Sequence, residues 1–243
     1  MLIDNLLLRL CPNGVSFMRL SKIAKTIRGI TYPKTAETDD KAGYPLLRGN
    51  NITLENNVIN FDNIIYLKKD FKIRDNQKLH KDDILISTAS GSAKHVGKVA
   101  FVAEDLDYYF GGFMAVIRNE PTVTSRYLFH NLTSTRFKNY LSNALNTTTI
   151  NNLSSTILDN FVLPIPPLPV QEEIVRVLDK FTLLKAELEA ELEAELEART
   201  LQYEYYRDLL LTFDQPDSQL LTDRQTDRQT DRQTDRQTDR QTD

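Results

Sequence analysis

The chain has 243 residues, 40% of them hydrophobic, which is enough for a substantial core, and a formal net charge of −4. Its single cysteine, Cys11, excludes an intrachain disulfide and favours a reducing compartment. Residues 1–10 lack a basic leader, so we expect neither a signal peptide nor a membrane anchor, and we predict a soluble cytoplasmic protein.

The net charge combines two parts of opposite sign. Residues 1–169 hold 20 Lys and Arg against 15 Asp and Glu, whereas residues 170–243 hold 10 against 19. A mildly basic globular part permits binding to nucleic acid. The same charge is also common in proteins that are simply soluble, so charge alone does not decide between the two.

The first half of the chain has the texture of short strands. Residues 17–27 alternate apolar with basic positions, and we predict a short amphipathic helical segment that leads to Gly29. From Gly29 to about residue 117, runs of β-branched and aromatic residues alternate with turn residues, which indicates several strands. The predicted strands cover residues 30–32, 46–47, 58–61, 64–67, 84–87, 96–103 and 113–117.

The next segment is predicted to be mainly helical. Residues 125–145 carry apolar side chains at helical spacing, with a break near Ser134. Residues 146–155 are polar, and residues 157–165 are a candidate last strand. The fold class predicted for residues 1–165 is therefore one α+β domain.

A long helix is predicted to follow. The prolines up to Pro169 exclude a helix there, because they lack N–H donors and favour extended geometry in the residue before them. From Val170 to about Thr212 neither Pro nor Gly interrupts the chain, which predicts one helix of roughly 65 Å. Residues 166–213 are thus expected to be a separate helical part.

The apolar side of this helix has coiled-coil spacing. Its positions step by four and three, and later by four, which is typical of the a/d positions where two helices pair. We call these positions the seam, and we expect it to need a partner helix; packing on the chain's own domain is the alternative. The seam comprises Val170, Ile174, Val177, Phe181, Leu184, Leu188, Leu192 and Leu196.

The last part, residues 214–243, contains a short repeat. Residues 222–241 are five copies of Thr-Asp-Arg-Gln without an apolar residue, so we predict disorder. The codons ACA, GAC, AGA and CAG would encode this unit as three copies of a four-base repeat. We hypothesise a simple-sequence tract whose gain or loss of a repeat shifts the frame and makes expression phase-variable. Scattered synonymous codons would instead indicate an inert peptide expansion.

No catalytic pattern is visible. Three histidines and one cysteine have no metal-ligand spacing. Ser87 and Ser90 lack the preceding Gly of a nucleophile elbow, and the sequence has no phosphate-binding Gly-Lys-Ser/Thr loop. We therefore expect a chain that is not an enzyme and that has no metal site and no cofactor of its own.

One junction carries a family likeness. Residues 164–174, Pro-Ile-Pro-Pro-Leu-Pro-Val-Gln-Glu-Glu-Ile, precede the long helix, and residues 203–210 read Tyr-Glu-Tyr-Tyr-Arg-Asp-Leu-Leu. This arrangement resembles the conserved region of type I restriction–modification specificity subunits. Residues 43–52, 81–92 and 147–153 look like segments of the family's target recognition domain, so the likeness covers residues 15–212. The family usually has two such domains and two helices, whereas this sequence resembles half a specificity subunit.

The resemblance implies a function and a set of partners. A non-catalytic subunit of this kind would read one half of a bipartite double-stranded DNA target, either as a two-fold homodimer or paired with another half subunit. A methyltransferase (M) subunit that binds S-adenosylmethionine and a restriction (R) subunit that uses ATP and Mg²⁺ would supply the chemistry. A coiled-coil interaction module and a stand-alone DNA-binding protein are the alternatives, and co-purification with a methyltransferase would separate them.

For DNA recognition we select loop residues that are able to contact phosphates or base edges in the major groove. For each of them, a solvated or turn-forming side chain is the alternative. The candidates are Tyr32, Lys34, Arg48, Asn50, Asn51, Ser90, Ser92, Lys94, His95, Lys98, Thr147 and Thr148.

Overall fold

The computed structural model describes residues 2–53, 56–92, 95–145 and 152–212, and the chain divides into two compact units, residues 1–182 and residues 183–243. The repeat predicted to be disordered lies outside the described residues. Among the described helices, none has a stretch long and apolar enough to cross a bilayer.

Short strands and helices alternate along the first unit. The strands are β1 (Ser16–Arg19), β2 (Ala24–Arg28), β3 (Glu37–Thr38), β4 (Tyr44–Leu47), β5 (Ile65–Leu67), β6 (Ile84–Ser87), β7 (Val99–Phe101), β8 (Tyr109–Phe110), β9 (Met114–Asn119) and β10 (Val162–Ile165). The helices are α1 (Leu2–Leu10), α2 (Ser125–Thr133), α3 (Thr135–Leu145), α4 (Ser155–Asp159) and α5 (Leu168–Leu211).

The centre of the unit is an antiparallel sheet in the order β2-β9-β6-β7. Successive residues of β6 pack into different cores: Ile84 and Ile86 join the cluster that includes α2 and α3, and Leu85 joins a second cluster on the opposite face. Both faces of the sheet are therefore covered, which explains why β6 is a continuous apolar run rather than an alternating one. The strand predicted at residues 84–87 is confirmed.

Two smaller sheets complete the unit. One has the order β3-β5-β4-β8, in which β4 and β8 run parallel and the other pairs antiparallel. A third apolar cluster, with Leu46 and Leu67 fully buried, packs on this sheet. The other sheet is the antiparallel pair β1-β10, which joins the start of the unit to the segment just before α5.

The helical hairpin α2–α3 confirms the break predicted near Ser134. Thr124 caps α2 by accepting a hydrogen bond from the backbone N–H of Tyr127. The hydroxyl of Ser134 donates to the carbonyl of Asn131 and accepts from the backbone N–H of Phe137. A single serine side chain thus satisfies groups at the end of one helix and at the start of the next.

The helical segment predicted for residues 17–27 is wrong. These residues form β1, a short 3-10 turn and β2. The apolar residues in this segment are core residues of the turn: Leu20 and Ile23 lie there and are fully buried in the cluster that includes α2 and α3. Pairing of β1 with β10 and of β2 with β9 therefore overrides the local helical pattern.

Several other predicted strands are wrong or shortened; of residues 96–103, for example, only Val99–Phe101 form a strand. In residues 58–61 only Ile59 pairs, in an isolated bridge with Ile52, and in residues 30–32 only Ile30 pairs, with Gly111. Residues 157–165 divide between α4 and β10, because Ser154 caps α4 by accepting from the backbone N–H of Ile157. Side-chain capping starts a helix there that apolar spacing alone does not reveal.

The long helix begins earlier than predicted, at Leu168, and includes Pro169 in its first turn. The first-turn N–H groups of a helix have no partner within the helix, so a proline is tolerated there. The backbone N–H groups of Val170 and Gln171 donate to the carbonyl of Pro167. The prolines therefore mark the start of the helix and do not exclude it as far as Pro169.

Gln171 anchors the first part of α5 to the α+β domain. Its side chain is fully buried, and its Oε1 accepts from the backbone N–H of Thr124 at 2.9 Å. Its Nε2 donates to the carbonyls of Thr122 and Pro166 at 3.1 and 2.8 Å. Every hydrogen-bonding position that this amide presents to the domain is used, which explains why a glutamine follows the proline segment.

A second contact to α2 holds the helix two turns later. Asp179 accepts from Arg126 Nε at 3.0 Å and lies 2.7 Å from His130 Nε2. Burial lowers the pKa of His130, and the neighbouring carboxylate of Asp179 opposes that shift. Residues up to 182 of α5 thus belong to the compact unit of the domain.

This packing corrects the first part of the predicted seam. Val170 is fully buried within its own domain, and Ile174 packs against the main core, so these two positions are not available to a partner helix. Val177 is half-buried and Phe181 is 65% exposed. In the second unit the seam residues Leu184, Leu188, Leu192 and Leu196 are 47–66% exposed.

Candidate nucleic-acid interface

Loops that follow β2, β4, β6 and β8 meet around a cleft of about 850 Å³ in the first unit. Apolar side chains, among them Ile30, Ile52 and Met114, form part of its lining, and polar and basic side chains form the rest. Seven of the predicted DNA-binding residues line this cleft. They are Tyr32, Lys34, Arg48, Asn50, Ser90, His95 and Lys98.

Close backbone contact brings two of these loops together. The N–H of Gly29 donates to the carbonyl of Met114, and the N–H of Ile30 donates to the carbonyl of Phe110. A Cβ atom on Gly29 would lie 2.1 Å from the carbonyl oxygen of Gly111, so no larger residue fits there. The glycine therefore allows the loops after β2 and β8 to approach each other closely.

Asn51 does not line the cleft, so its side chain is not in a position to contact DNA there. Its side chain is fully buried. The Oδ1 atom accepts from the backbone N–H of Arg48 at 2.9 Å, and the Nδ2 atom donates to the carbonyls of Asn60 and Asp62 at 3.1 and 2.8 Å. Because its amide is fully used inside the protein, Asn51 holds the loop that presents Arg48 and Asn50.

The neighbouring asparagines give a direct test of this assignment. Asn51→Ala should lower the free energy of unfolding by about 2–4 kcal/mol, because the fully buried amide of Asn51 is lost and the backbone groups at Arg48 and Asp62 lose their partner. Asn50 is exposed, so Asn50→Ala should change stability by less than about 0.5 kcal/mol. Urea denaturation of both variants measures the difference; equal losses would contradict the assigned role of Asn51.

Lys98 also has a structural role at the cleft. Its ammonium group donates to the carbonyls of Gly49 and Ile52, and the residue is only 9% exposed. Burial lowers the pKa of this lysine. Lys98 therefore fixes the loop after β4 from the opposite side of the cleft and contributes positive charge to its base.

Other cleft residues keep groups free for a ligand. Lys34 is exposed, and Asn50 is exposed beside it in the lining. Arg48 is half-buried; its Nη2 lies 3.4 Å from the carbonyl of Asn63, and its buried Nε has no hydrogen-bond partner among the described residues. A guanidinium held in this way has donors left for a phosphate or a guanine edge.

The loop after β6 contributes shorter polar groups. Ser90 and His95 line the cleft, and Ser90 Oγ accepts from the backbone N–H of Ser92. Ser92 itself is exposed and does not line the cleft. Lys94, Thr147 and Thr148 lie outside the described residues.

The cleft also contains residues that the sequence did not single out. They include Glu37, Thr53 and Asn60, together with Phe113, which is 73% exposed at the turn between β8 and β9. The Gly111-Gly112 pair before Phe113 could have indicated a turn that presents an aromatic ring. The sequence around Glu37 did not indicate a site residue, because a single acidic residue before a threonine is common in loops.

Tyr32 and Glu37 form a pair on one wall. Tyr32 and Glu37 both line the cleft, and burial first, then the nearby Glu37 carboxylate, raise the pKa of this tyrosine. Glu37 lies in β3, opposite Leu67 of β5, so its backbone is held in a sheet rather than in a free loop. The cleft therefore contains, among its basic side chains, a carboxylate whose backbone is held in a sheet.

Comparison with known proteins decides the family. The sequence profile described as "Type I restriction modification DNA specificity domain" matches residues 12–198, which include the whole cleft and much of α5. The chain belongs to this family. The resemblance seen in residues 164–174 is therefore confirmed, together with the α+β fold and its long helix.

Curated members of the specificity-domain family align with most of this chain. The EcoKI specificity subunit of Escherichia coli strain K12 is 32% identical over 170 residues, which cover 69% of this chain and 36% of that protein. The StySPI specificity subunit of Salmonella potsdam is 31% identical over 188 residues, which cover 73% of this chain and 39% of that protein. This chain thus spans well under half the length of these relatives.

Solved structures share the fold. A chain from a structure of the type I R-M system superposes with a TM-score of 0.61 at 22% identity, over 85% of this chain and 50% of the other. The HsdS subunit from Thermoanaerobacter tengcongensis superposes with a TM-score of 0.52 at 20% identity, over 77% of this chain and 44% of the other. The specificity-domain family and the present structure therefore agree in architecture.

Proposed function

We propose that this chain recognises one part of a bipartite DNA target and directs a DNA methyltransferase subunit, and with it a restriction subunit, to that target. The chain supplies the recognition and no catalytic residue. The partner subunits bind the S-adenosylmethionine, ATP and Mg²⁺ that the reactions use. The observation that carries the proposal is the cleft, where loops of a DNA specificity domain bring Lys34, Arg48, Asn50 and His95 together.

The chemistry of this lining suits double-stranded DNA. Lysine and arginine bind phosphates, and arginine and asparagine form paired hydrogen bonds with the edges of guanine and adenine. Phe113 adds an exposed ring that is able to contact a thymine methyl group. Recognition by loops on a rigid scaffold also allows targets to change without a change of fold.

We further propose that two copies of the chain pair through the exposed part of the seam, Leu184, Leu188, Leu192 and Leu196. The exposed leucines of the second unit support this, because an apolar stripe on a helix is stabilised when a second helix covers it. Two domains related by a two-fold axis would read an interrupted palindrome. The occupant of the seam is a second copy; a helix of the methyltransferase subunit is the other outcome that an experiment has to distinguish.

Lys34 offers a test of the DNA-binding face. Lys34→Ala should weaken binding to a mixed-sequence DNA duplex and reduce the slope of log K against log salt by about 0.9, the value for one lost phosphate contact. Lys138 of α3 is equally exposed and lies outside the cleft, so Lys138→Ala is the matched control and should keep the slope. Fluorescence anisotropy titrations at several salt concentrations measure both. The same reduction in both variants would contradict the cleft as the DNA-binding site.

A further inference from the structure

The cleft contains a carboxylate that phosphate binding does not explain. Glu37 lines it together with the cationic side chains of Lys34, Arg48 and Lys98. Among the described residues Glu37 has no ion-pair partner within 4 Å, so it does not neutralise any of these cations. A carboxylate repels phosphate, which means that its presence weakens the sequence-independent part of DNA binding.

The carboxylate is also held in place. Glu37 of β3 is paired with Leu67 of β5. The backbone of the preceding residue, Ala36, is held by a hydrogen bond from the N–H of Lys68 to its carbonyl. Tyr32 lies in the same part of the cleft lining, near the carboxylate. A half-buried acid whose backbone is held in a sheet has few directions in which its carboxylate can face the cleft, as a base-reading group requires.

Base edges differ in what they offer such a group. In the major groove only cytosine and adenine present an amino donor, N4 and N6 respectively. The adenine amino group lies beside the N7 acceptor, which repels a carboxylate, whereas cytosine N4 has no acceptor on its own base next to it in that groove. The chemistry of a lone carboxylate therefore favours cytosine.

On this basis, and resting on the DNA recognition proposed above, we propose that Glu37, oriented by Tyr32, determines specificity at one position of the target by accepting a hydrogen bond from cytosine N4. Glu37 reads the base, and Tyr32 is a positioning residue. The lysine and arginine side chains around them bind the DNA backbone and other base edges. The target is then expected to contain a G·C pair at the position that faces the wall formed by β3.

The test is a change of methylated motif. A host strain carrying the natural gene, or the gene with Glu37→Gln, is analysed by methylome sequencing. The amide of Gln offers both a donor and an acceptor, the arrangement that pairs with adenine N6 and N7. We expect the preference for cytosine to fall about tenfold at one position, with adenine gaining there and all other positions unchanged.

Two further variants separate reading from structure. Tyr32→Phe should relax the same single position, because the carboxylate loses the neighbouring hydroxyl proposed to orient it. Glu104→Gln is the matched control, since Glu104 is exposed and does not line the cleft; it should leave the motif unaltered. Thermal melting of each purified variant shows whether any loss of methylation comes from unfolding.

The possible results are distinct. A motif that changes at one G·C position in Glu37→Gln supports the inference. A folded Glu37→Gln variant that methylates the original motif, or methylates every site less without a change of motif, overturns it and leaves the recognition function intact. A natural gene whose presence adds no methylated motif would overturn the proposed function itself.

Discussion

Insertion of one additional Ala-Glu-Leu-Glu unit after Glu197 should move the two specified parts of the DNA target apart while leaving the specified bases unchanged. Four more helical residues add about 6 Å, which corresponds to a base pair or two at roughly 3.4 Å each. The inserted unit repeats the sequence already present between residues 186 and 198, so helix formation is not disturbed. Methylome sequencing of a strain that carries the longer gene reads the spacing directly.

A variant of unchanged length is the control for this insertion. Glu193→Gln alters the charge of the same segment without altering the number of residues. It should keep the spacing of the natural chain. If the insertion left the spacing unaltered as well, the helix would not act as the spacer between the two recognised parts.

The second large effect concerns the seam. Replacing both Leu188 and Leu192 by Glu should convert a dimer into a monomer, with the dissociation constant raised at least about 100-fold. The two side chains are 65% and 66% exposed and would be covered by a second helix. Each buried leucine contributes about 1.5–3 kcal/mol to such pairing, and each introduced carboxylate adds an unfavourable desolvation term. Analytical ultracentrifugation of the purified chains measures the change.

The control for the seam is again a nearby exposed change. Glu189→Gln and Glu193→Gln together should leave the dimer intact, because these positions flank the leucines. A natural chain that sediments as a monomer alone, and that loses complex formation with the methyltransferase subunit in the double leucine variant, would contradict pairing with a second copy. That result would assign the seam to a helix of the methyltransferase.

Sequence patterns predicted the parts of the fold that local chemistry determines. Residues 84–87 formed a strand as predicted, because a short run of Ile, Leu and Ile between polar turns has few alternatives. The break near Ser134 also has a local cause. The Ser134 hydroxyl donates to a carbonyl at the end of one helix and accepts from an N–H at the start of the next. The long helix followed from the absence of Pro and Gly over more than forty residues.

Two of the errors came from contacts between distant segments. Residues 17–27 have helical spacing but form strands, since β9 and β10, about a hundred residues or more away, pair with them. Val170 matched the seam by spacing, yet its domain buries it completely. Periodicity shows which residues prefer an apolar environment, and it does not show which surface provides that environment.

Only part of the candidate site was predicted, because the sequence shows which loop residues are polar but not which loops meet. Tyr32, Arg48 and Ser90 were selected as polar residues in loops after strands, and the topology brings those loops to one cleft. Asn51 has the same sequence character as Asn50, but a neighbouring turn captures its amide. Glu37 was missed because its significance depends on the cations around it, which come from other loops.

The central claim is that this chain selects the DNA sequence that a methyltransferase modifies. Methylome sequencing of a host strain with and without the gene tests it most directly. We expect a bipartite methylated motif that disappears when the gene is deleted and returns when the natural gene is restored. A methylome that is identical with and without an expressed gene would contradict it.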